Sequence, residues 1–285
     1  MKHKLVICAI LGTLLLPLLI SGCGDKGSGP IATSNLFGYV AHAFDGPIQG
    51  VEVRVQQIAD YTDSNGHYQL PDVPQGTRTI TCTHPDYNSF TGNVNISGSD
   101  KQYDIVLTKT VYYTLYVTND AGIRWETPDE NCGQTTVLGI WYNDSLAFRM
   151  RQRCFVGLPT LPANPPPSAL ESSALRLKVK KIGINTVDYS LNLRRVTSPW
   201  SEDEITWNNS PSVSTSLFKT MNPHPELLEI DVLPIYQNSS PEYGIRIAFV
   251  IDEEEGHQPT TIYYKFWSSE GPASNRPFVA LKYTY

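Results

Sequence analysis

Apolar and polar residues alternate with a period of two along most of the chain. Residues 51–56 read VEVRVQ, and residues 111–117 read VYYTLYV, with every second side chain suited to a core. Successive side chains of a strand point to opposite faces, so this pattern predicts half-buried β-strands. Six such segments are predicted between residues 35 and 109. They are Leu36–Phe44, Val51–Ile58, Tyr68–Leu70, Thr79–Thr83, Asn93–Ile96 and Tyr103–Leu107.

Nine further strand-like segments follow between residues 110 and 285, and no segment there shows the 3.6-residue period of an amphipathic helix. Many short strands separated by turn residues are typical of antiparallel sandwiches and jelly rolls. We therefore predict an all-β protein with two β-sandwich domains in tandem. The smaller domain covers residues 35–109, and a larger, jelly-roll-like domain covers residues 110–285.

The N-terminal segment has a different pattern and is predicted to lie outside the fold. Lys2 and Lys4 precede the apolar run Leu5–Ile20, which is too short to span a membrane as a helix. The run ends in Ile20-Ser21-Gly22-Cys23, which resembles the lipobox of bacterial lipoproteins. The alternatives are an ordinary signal peptide with a chance cysteine, or an uncleaved anchor.

The lipobox resemblance implies that residues 1–22 are a signal peptide and that Cys23 is acylated after cleavage. Residues 24–34 are rich in Gly and Ser, which predicts that residues 23–34 form a lipidated, flexible tether. Membrane lipid is then a partner through Cys23, since acyl chains hold a protein at a bilayer. The expected location is the bacterial cell envelope, at the outer membrane or the cell surface.

Charge excludes one class of partner. The chain carries 22 Lys and Arg against 28 Asp and Glu, a net charge of −6. Removal of Lys2 and Lys4 with the signal peptide would make it −8. An acidic protein is poorly suited to the phosphate backbone, so no nucleic-acid partner is expected.

The first domain carries a recognisable series of short motifs. They are Gly38-Tyr39-Val40, Pro47–Val51, Thr62–Tyr68 and Asp72–Gly76. Together they resemble the carboxypeptidase regulatory-like family. The resemblance implies a transthyretin-like sandwich that serves as a non-catalytic spacer or accessory module.

Within this domain, Asp63-Ser64-Asn65-Gly66 has two interpretations. Asn and Gly tolerate positive φ, which favours a hairpin turn. A calcium loop is the alternative, but an EF-hand register counted back from Gly66 places Tyr61 at the first ligand position, where tyrosine is unsuitable.

In the second domain, Ser198–Pro211 reads SPWSEDEITWNNSP and predicts a structured loop between strands. Its pattern resembles the signature of the DNRLRE family of bacterial extracellular β-sandwich modules. Other segments resemble further parts of that signature, and Phe155-Val156-Gly157 departs from it because the family usually has an acid after the aromatic residue. The residues singled out in the loop are Trp200, Glu202, Thr206, Trp207 and Asn208. The other matching segments are Asn131-Cys132-Gly133, Ser173–Leu177, Trp267–Glu270 and Pro277–Tyr283.

The loop residues leave several roles open. Buried, the two tryptophans would fix the loop to the domain; exposed, they could stack on sugar rings. Glu202 could accept backbone N–H groups, or it could pair with Glu204 as in a glycosidase. Relatives implied by the resemblance include carbohydrate-binding modules, some of which bind uronic-acid polysaccharides.

The cysteines and acids give no sequence evidence for a metal site or cofactor. No CxxC or HExxH motif is present, so neither a metal nor a cofactor is predicted. Cys82 alternates in phase with Ile80 and is predicted to be buried. Cys132 and Cys154 could form a disulfide, which depends on whether their Cα atoms approach within about 7 Å. The acidic run 252–256 predicts a solvated turn, with a calcium loop as the alternative.

Cations recur at every second position of two predicted strands, and Asn192 and Arg194 alternate with leucines in a third, so each strand presents its cations on one face. Adjacent strands would form a basic strip suited to carboxylates. The alternative is that these residues are solvated and protect sheet edges from aggregation. The candidate ligand-binding residues are Arg149, Arg151, Arg153, Arg176, Lys178, Lys180 and Arg194.

The sequence therefore predicts a membrane-anchored lipoprotein without enzymatic activity, whose C-terminal domain binds carbohydrate, with an acidic polysaccharide as the natural ligand. The rival hypothesis is a structural or adhesive surface protein that uses both domains as spacers for protein partners. A hydrolase is a third hypothesis, and it would need two facing carboxyl groups in a cleft.

Overall fold

A computed structural model describes residues 31–145, 148–183, 189–222, 224–238, 243–253 and 261–285. The predicted signal peptide, Cys23 and residues 24–30 of the tether lie outside this part of the chain, as do residues 254–256 of the acidic run. The described part is almost entirely β-structure in two sandwich domains, which confirms the predicted fold class.

Two sheets form the N-terminal domain. In one, β1 pairs with β2, β5, β8 and β9; in the other the strand order is β4-β3-β6-β7. The strands are β1 (Thr33–His42), β2 (Gly46–Pro47), β3 (Glu52–Val55), β4 (Ile58–Tyr61), β5 (His67–Pro74), β6 (Gly76–His84), β7 (Tyr87–Ile96), β8 (Lys101–Gln102) and β9 (Ile105–Leu107).

The predicted alternation places the core of this domain. Val53 and Val55 of β3 are fully buried. Their partners on the neighbouring strand β6, Cys82 and Ile80, are fully buried as well. The turn after β4 forms because the Asp63 carboxylate accepts the backbone N–H groups of Asn65 and His67, at 2.8 and 2.9 Å. These two hydrogen bonds lower the pKa of Asp63.

The described residues of the C-terminal domain form eleven strands, where the sequence pattern predicted nine. The strands are β10 (Thr110–Tyr116), β11 (Asp120–Arg124), β12 (Val137–Ser145), β13 (Phe148–Val156), β14 (Leu170–Ile182), β15 (Leu191–Arg195), β16 (Lys219–Met221), β17 (Leu227–Asp231), β18 (Ile245–Phe249), β19 (Thr261–Trp267) and β20 (Phe278–Thr284). Two short helices, α1 (Leu233–Asn238) and α2 (Val250–Glu253), complete the described part.

The long strand β14 joins the two layers of this sandwich. Its first part pairs with β20 and β17, and its last part pairs with β19. The strand order is β10-β20-β14-β19-β12-β13-β18-β15-β16, with β11 on β13 and β17 on β14. The core between the layers includes Tyr142, Tyr264 and Phe266, which are fully buried. None of the helices in the described part has the length and hydropathy required to span a membrane.

The structure resolves the open question of the disulfide. Gly122 of β11 pairs with Cys154 on one side and with Cys132 on the other. The two cysteines are thus two strand spacings apart, about 9–10 Å, which exceeds the reach of a disulfide. Both are free, buried thiols, and burial raises the pKa of each.

Candidate functional site

The predicted cations do not form one strip. β12 and β19 lie between β13 and β14, so the arginines of β13 are separated from the cations of β14. The candidate residues are distributed as Arg149, Arg151 and Arg153 on β13, Arg176, Lys178 and Lys180 on β14, and Arg194 on β15. The condition for a continuous basic strip, adjacency of these strands, is therefore not met.

Three of these arginines, Arg151, Arg153 and Arg194, belong to a partly buried ion-pair cluster with Asp252 and Glu253. The Nε atom of Arg153 lies 2.6 Å from Asp252 Oδ2, and the Nε atom of Arg194 lies 3.0 Å from Glu253 Oε2. Arg246 also pairs with Glu253, and burial is the main cause that lowers its pKa to about 10. Burial removes water from these guanidiniums, and the carboxylates of Asp252 and Glu253 compensate their charge. The cluster therefore stabilises the domain.

Other predicted cations also have partners within the chain. Arg149 pairs with Asp144, and Arg176 pairs with Glu229. The ammonium of Lys178 donates to Asn275 Oδ1 at 2.7 Å. Lys180 differs from these residues because it lies among aromatic rings instead of carboxylates.

Three lysines and three aromatic residues of neighbouring strands form a surface that we call the lysine face. It consists of Lys180, Lys181, Lys265, Trp141, Tyr263 and Trp267. The Nζ atom of Lys180 lies 4.1 Å from the ring centroid of Trp267, and that of Lys265 lies 5.0 Å from the Trp141 ring. The rings attract the ammonium groups without neutralising their charge.

The lysine face retains its positive charge. Within the described ranges, no carboxylate oxygen lies within 4.0 Å of the ammonium of Lys180, Lys181 or Lys265. Lys181 and Lys265 are moreover direct partners across the β14–β19 ladder. Like charges in that position repel each other, so an anion placed between them would relieve a repulsion that exists in the free protein.

A cavity of about 290 Å³ opens beside the three lysines. Arg124 of β11 and Gln152 of β13 also line it. Gly139 forms part of its wall, and a Cβ there would lie 2.6 Å from the Oε1 atom of Gln152. Because Gly139 has no side chain, the buried Gln152 amide can lie against it and close the cavity. The cavity has the positive charge and the hydrogen-bonding groups to hold a carboxylated ligand.

The motif loop, residues 198–211, is fixed to the domain by its tryptophans and by side-chain amides. The indole N–H of Trp200 donates to the carbonyl of Tyr243 at 2.9 Å, and the Trp207 ring lies 4.7 Å from the Arg153 guanidinium. Both rings pack on a small core around Phe155. Asn208 donates to Asp129 Oδ1 at 2.8 Å. In this structure neither tryptophan belongs to the lysine face.

Three segments of the sequence signature converge behind this loop. Asn131 donates through Nδ2 to the carbonyls of Glu202 and Ile205, at 2.7 and 2.8 Å. This contact brings Glu202 to Glu270, which follows β19, and to Asp120 at the start of β11. We call Asp120, Glu202 and Glu270 the carboxylate cluster, because one oxygen from each lies within 4.8 Å of the others.

The carboxylate cluster was not predicted from the sequence. Glu202 and Glu270 lie in motif segments, but Asp120 lies in none, and the three are widely separated along the chain. The predicted role of Glu202, accepting backbone N–H groups, stays a prediction, although the backbone N–H of Asp120 lowers its pKa. Burial is the largest cause that raises the pKa of Asp120, to about 7, and the pKa of Glu202, and the nearby Glu270 carboxylate raises both further.

These shifts predict that stability depends on pH when EDTA keeps divalent cations away. A carboxyl with a raised pKa retains its proton in the folded state at pH values where the unfolded chain has released it. The free energy of unfolding should therefore fall as the pH rises from about 4 towards 8. Urea unfolding at several pH values measures this, and Glu202→Gln should flatten the slope. Equal slopes for the variant and the wild type would contradict the prediction.

Two family models match the chain. Residues 35–108 match the carboxypeptidase regulatory-like domain, and residues 111–283 match carbohydrate-binding module family 96. The second match covers the region whose sequence motifs resemble the DNRLRE family. No curated protein matches the chain.

Solved structures show only limited similarity. A mutant type II cohesin–X-dockerin complex from Acetivibrio cellulolyticus is 25% identical over 26% of this chain and 56% of that chain, with a TM-score of 0.24. BcpA, the major pilin subunit of Bacillus cereus, is 7% identical over 89% of this chain and 58% of that chain, with a TM-score of 0.29. A carbohydrate-binding module of the β-sandwich superfamily is 10% identical over 85% of each chain, with a TM-score of 0.20. This chain thus spans about half the length of the matched chain in the cohesin–X-dockerin complex.

Proposed function

The chain belongs to carbohydrate-binding module family 96, and on that premise we propose that its C-terminal domain binds an acidic polysaccharide through the lysine face. The single observation that carries this proposal is the group of three lysines without carboxylate partners in the described part of the chain. Several arginines of the same domain pair with carboxylates, whereas the lysine face keeps three positive charges that a ligand can reach.

The chemistry of the lysine face fits a carboxylated sugar. Ammonium groups bind carboxylates as charge-assisted donors. Arg124 also lines the cavity, where its guanidinium pairs with Glu130 at 3.7 Å. Aromatic rings among the lysines offer apolar surface to the carbon faces of a sugar ring. Gln152 supplies an amide that can both donate to and accept from hydroxyl groups. Uronate-rich chains present carboxylates, the carbon faces of sugar rings and hydroxyl groups, so they offer a partner to each of these side chains.

Neither matched family is catalytic, and we propose that the protein acts by binding alone. The lipobox-like tetrapeptide before Cys23 supports a lipid-anchored protein of the bacterial cell envelope. The N-terminal domain would then be a spacer between the membrane and the sugar-binding domain. Acidic polysaccharide outside the cell would be held near the membrane surface.

Affinity electrophoresis in gels that contain a polyuronate, such as alginate, tests the proposal. We expect the polyuronate to retard the protein and a neutral glucan of similar length to leave its mobility unchanged. Retardation should weaken as salt rises, because the screening length falls from about 10 Å at 0.1 M to about 3 Å at 1 M. Equal retardation by both polymers, or by neither, would refute an acidic ligand.

A further inference from the structure

The carboxylate cluster has one free oxygen on each of its three side chains. Asp120 Oδ1, Glu202 Oε1 and Glu270 Oε2 are buried and have no hydrogen-bond partner. The ligand oxygens of the cluster lie within 4.8 Å of one another. Oxygens bound to one cation at about 2.3–2.6 Å would be separated by up to about 5 Å, so the spacing suits a shared ion.

Burial is the second, independent observation that indicates a ligand. The Asp120 side chain is fully buried, and Glu202 is 9% exposed. Buried carboxylate oxygens without partners are costly, and native proteins rarely retain them. Within the described part of the chain, no Lys, Arg or His nitrogen lies within 4.0 Å of these carboxylates. The described part of the chain therefore supplies no counter-charge to these carboxylates.

The remaining contacts orient the carboxylates. Asp120 Oδ2 accepts the backbone N–H of Ser269 at 2.9 Å, and Glu270 Oε1 accepts the Ser269 hydroxyl at 2.6 Å. The backbone N–H of Asp120 lowers the pKa of Glu202. Ser269 donors thus hold Asp120 and Glu270, and all three acids keep one buried oxygen without a hydrogen-bond partner, as in a prepared metal site.

We propose that Asp120, Glu202 and Glu270 bind one calcium ion. Three carboxylates and no nitrogen or sulfur ligand form a hard oxygen donor set, which suits calcium better than zinc. Magnesium requires near-ideal octahedral geometry and dehydrates reluctantly, so it fits a buried, irregular carboxylate group less well. The ion would replace the missing counter-charge.

A bound ion would connect three separate parts of the domain. Asp120 begins β11, Glu202 lies in the motif loop, and Glu270 follows β19 by three residues. Trp267, the last residue of β19, belongs to the lysine face. Calcium would therefore fix the motif loop against the sheet. Through Glu270 it would also hold the segment after β19, next to Trp267 of the lysine face.

Calcium titration of the purified, EDTA-dialysed protein tests this proposal. Isothermal titration calorimetry should show one ion per chain, with a dissociation constant at or below about 10⁻³ M, the weak end for extracellular modules. Thermal unfolding should shift to higher temperature as calcium is added. Calcium at about 100 times its dissociation constant favours the folded state by about 100-fold. Magnesium should bind at least tenfold more weakly.

Variants of matched size locate the site. Glu202→Gln and Asp120→Asn should remove calcium binding and its thermal shift, whereas Glu204→Gln, an exposed change in the same loop, should retain both. In EDTA, Asp120→Asn should unfold at a higher temperature than the wild type, because it removes a buried charge without a counter-ion. An acid with a purely structural role would instead leave its amide variant less stable.

Several outcomes would overturn the proposal. A wild-type protein without calcium binding or a calcium-dependent thermal shift would do so, whether or not the variants fold. Binding that survives in both Glu202→Gln and Asp120→Asn would place the ion elsewhere. No glycan is present in these measurements, so their result is independent of the sugar-binding proposal.

Discussion

Replacing Lys180, Lys181 and Lys265 together by glutamate should lower the affinity for a polyuronate by more than about 100-fold. A hydrogen bond to a charged group contributes about 1.5–3 kcal/mol, and about 1.4 kcal/mol corresponds to a factor of ten. Loss of a single contact should therefore weaken binding by about tenfold or more, and three reversed charges would also repel the ligand. Isothermal titration calorimetry with a defined uronate oligosaccharide measures the change.

The matched control is reversal of three cations that the sequence placed in the binding strip. Arg149→Glu, Arg176→Glu and Lys178→Glu change the same net charge at residues with partners inside the chain. Their effect on affinity should be small and should disappear at high salt. If these changes weaken binding as much as the lysine changes do, the lysine face is not the site.

A further variant separates binding from folding. Lys181→Met keeps the apolar stem and removes the repulsion between Lys181 and Lys265 across the ladder. Its thermal stability should equal or slightly exceed that of the wild type, because opposed like charges cost a few tenths of a kcal/mol. Its affinity for the polyuronate should still fall by about tenfold. A loss of both stability and affinity would indicate structural damage instead.

Much of the fold was predictable because alternation is a local property. The valines of β3 and the apolar residues of β19 lie inward as the period of two requires. β14 shows where such reasoning fails. A register shift between Val179 and Lys181 interrupts its ladder, and both Lys180 and Lys181 contact rings on the same side of β19. Strict alternation places these two lysines on opposite faces, so the lysine face was not predicted.

The pairing of strands was the second limit. Sequence pattern places three arginines on one face of β13, but it does not show which strands lie beside it. In the fold, Asp252 and Glu253 of α2 pair with arginines of β13, β15 and β18. The protein's own carboxylates thus bind the arginines that the sequence assigned to a ligand. The carboxylate cluster depends in the same way on contacts between distant segments.

The cluster around Glu253 carries the largest expected effect on stability. Its carboxylate pairs with Arg194 and Arg246 and accepts from the Asn192 amide at 3.0 Å. The side chains of Arg246 and Glu253 are only 9% and 10% exposed. Glu253→Ala would leave two desolvated guanidiniums without their carboxylate. Breaking a buried ion pair in this way costs about 3–5 kcal/mol.

Urea unfolding followed by tryptophan fluorescence should detect this loss. With a slope of about 1–3 kcal/mol per molar for urea, the midpoint should fall by at least about 1 M. Glu229→Ala is the control, since Glu229 and Arg176 form an exposed pair with side chains 50% and 39% accessible. That change should cost less than about 1 kcal/mol. Similar losses for the two variants would show that Glu253 does not stabilise a desolvated cluster.

A double variant distinguishes an ion-pair effect from lost packing. Replacing Arg246 by methionine in the Glu253→Ala background removes the more buried of the two guanidiniums that lack their carboxylate and keeps an apolar stem. Replacement of a buried pair by apolar residues is often neutral, so the double variant should regain part of the lost stability. Its affinity for polyuronate should match the wild type, because the double variant changes none of the residues of the lysine face.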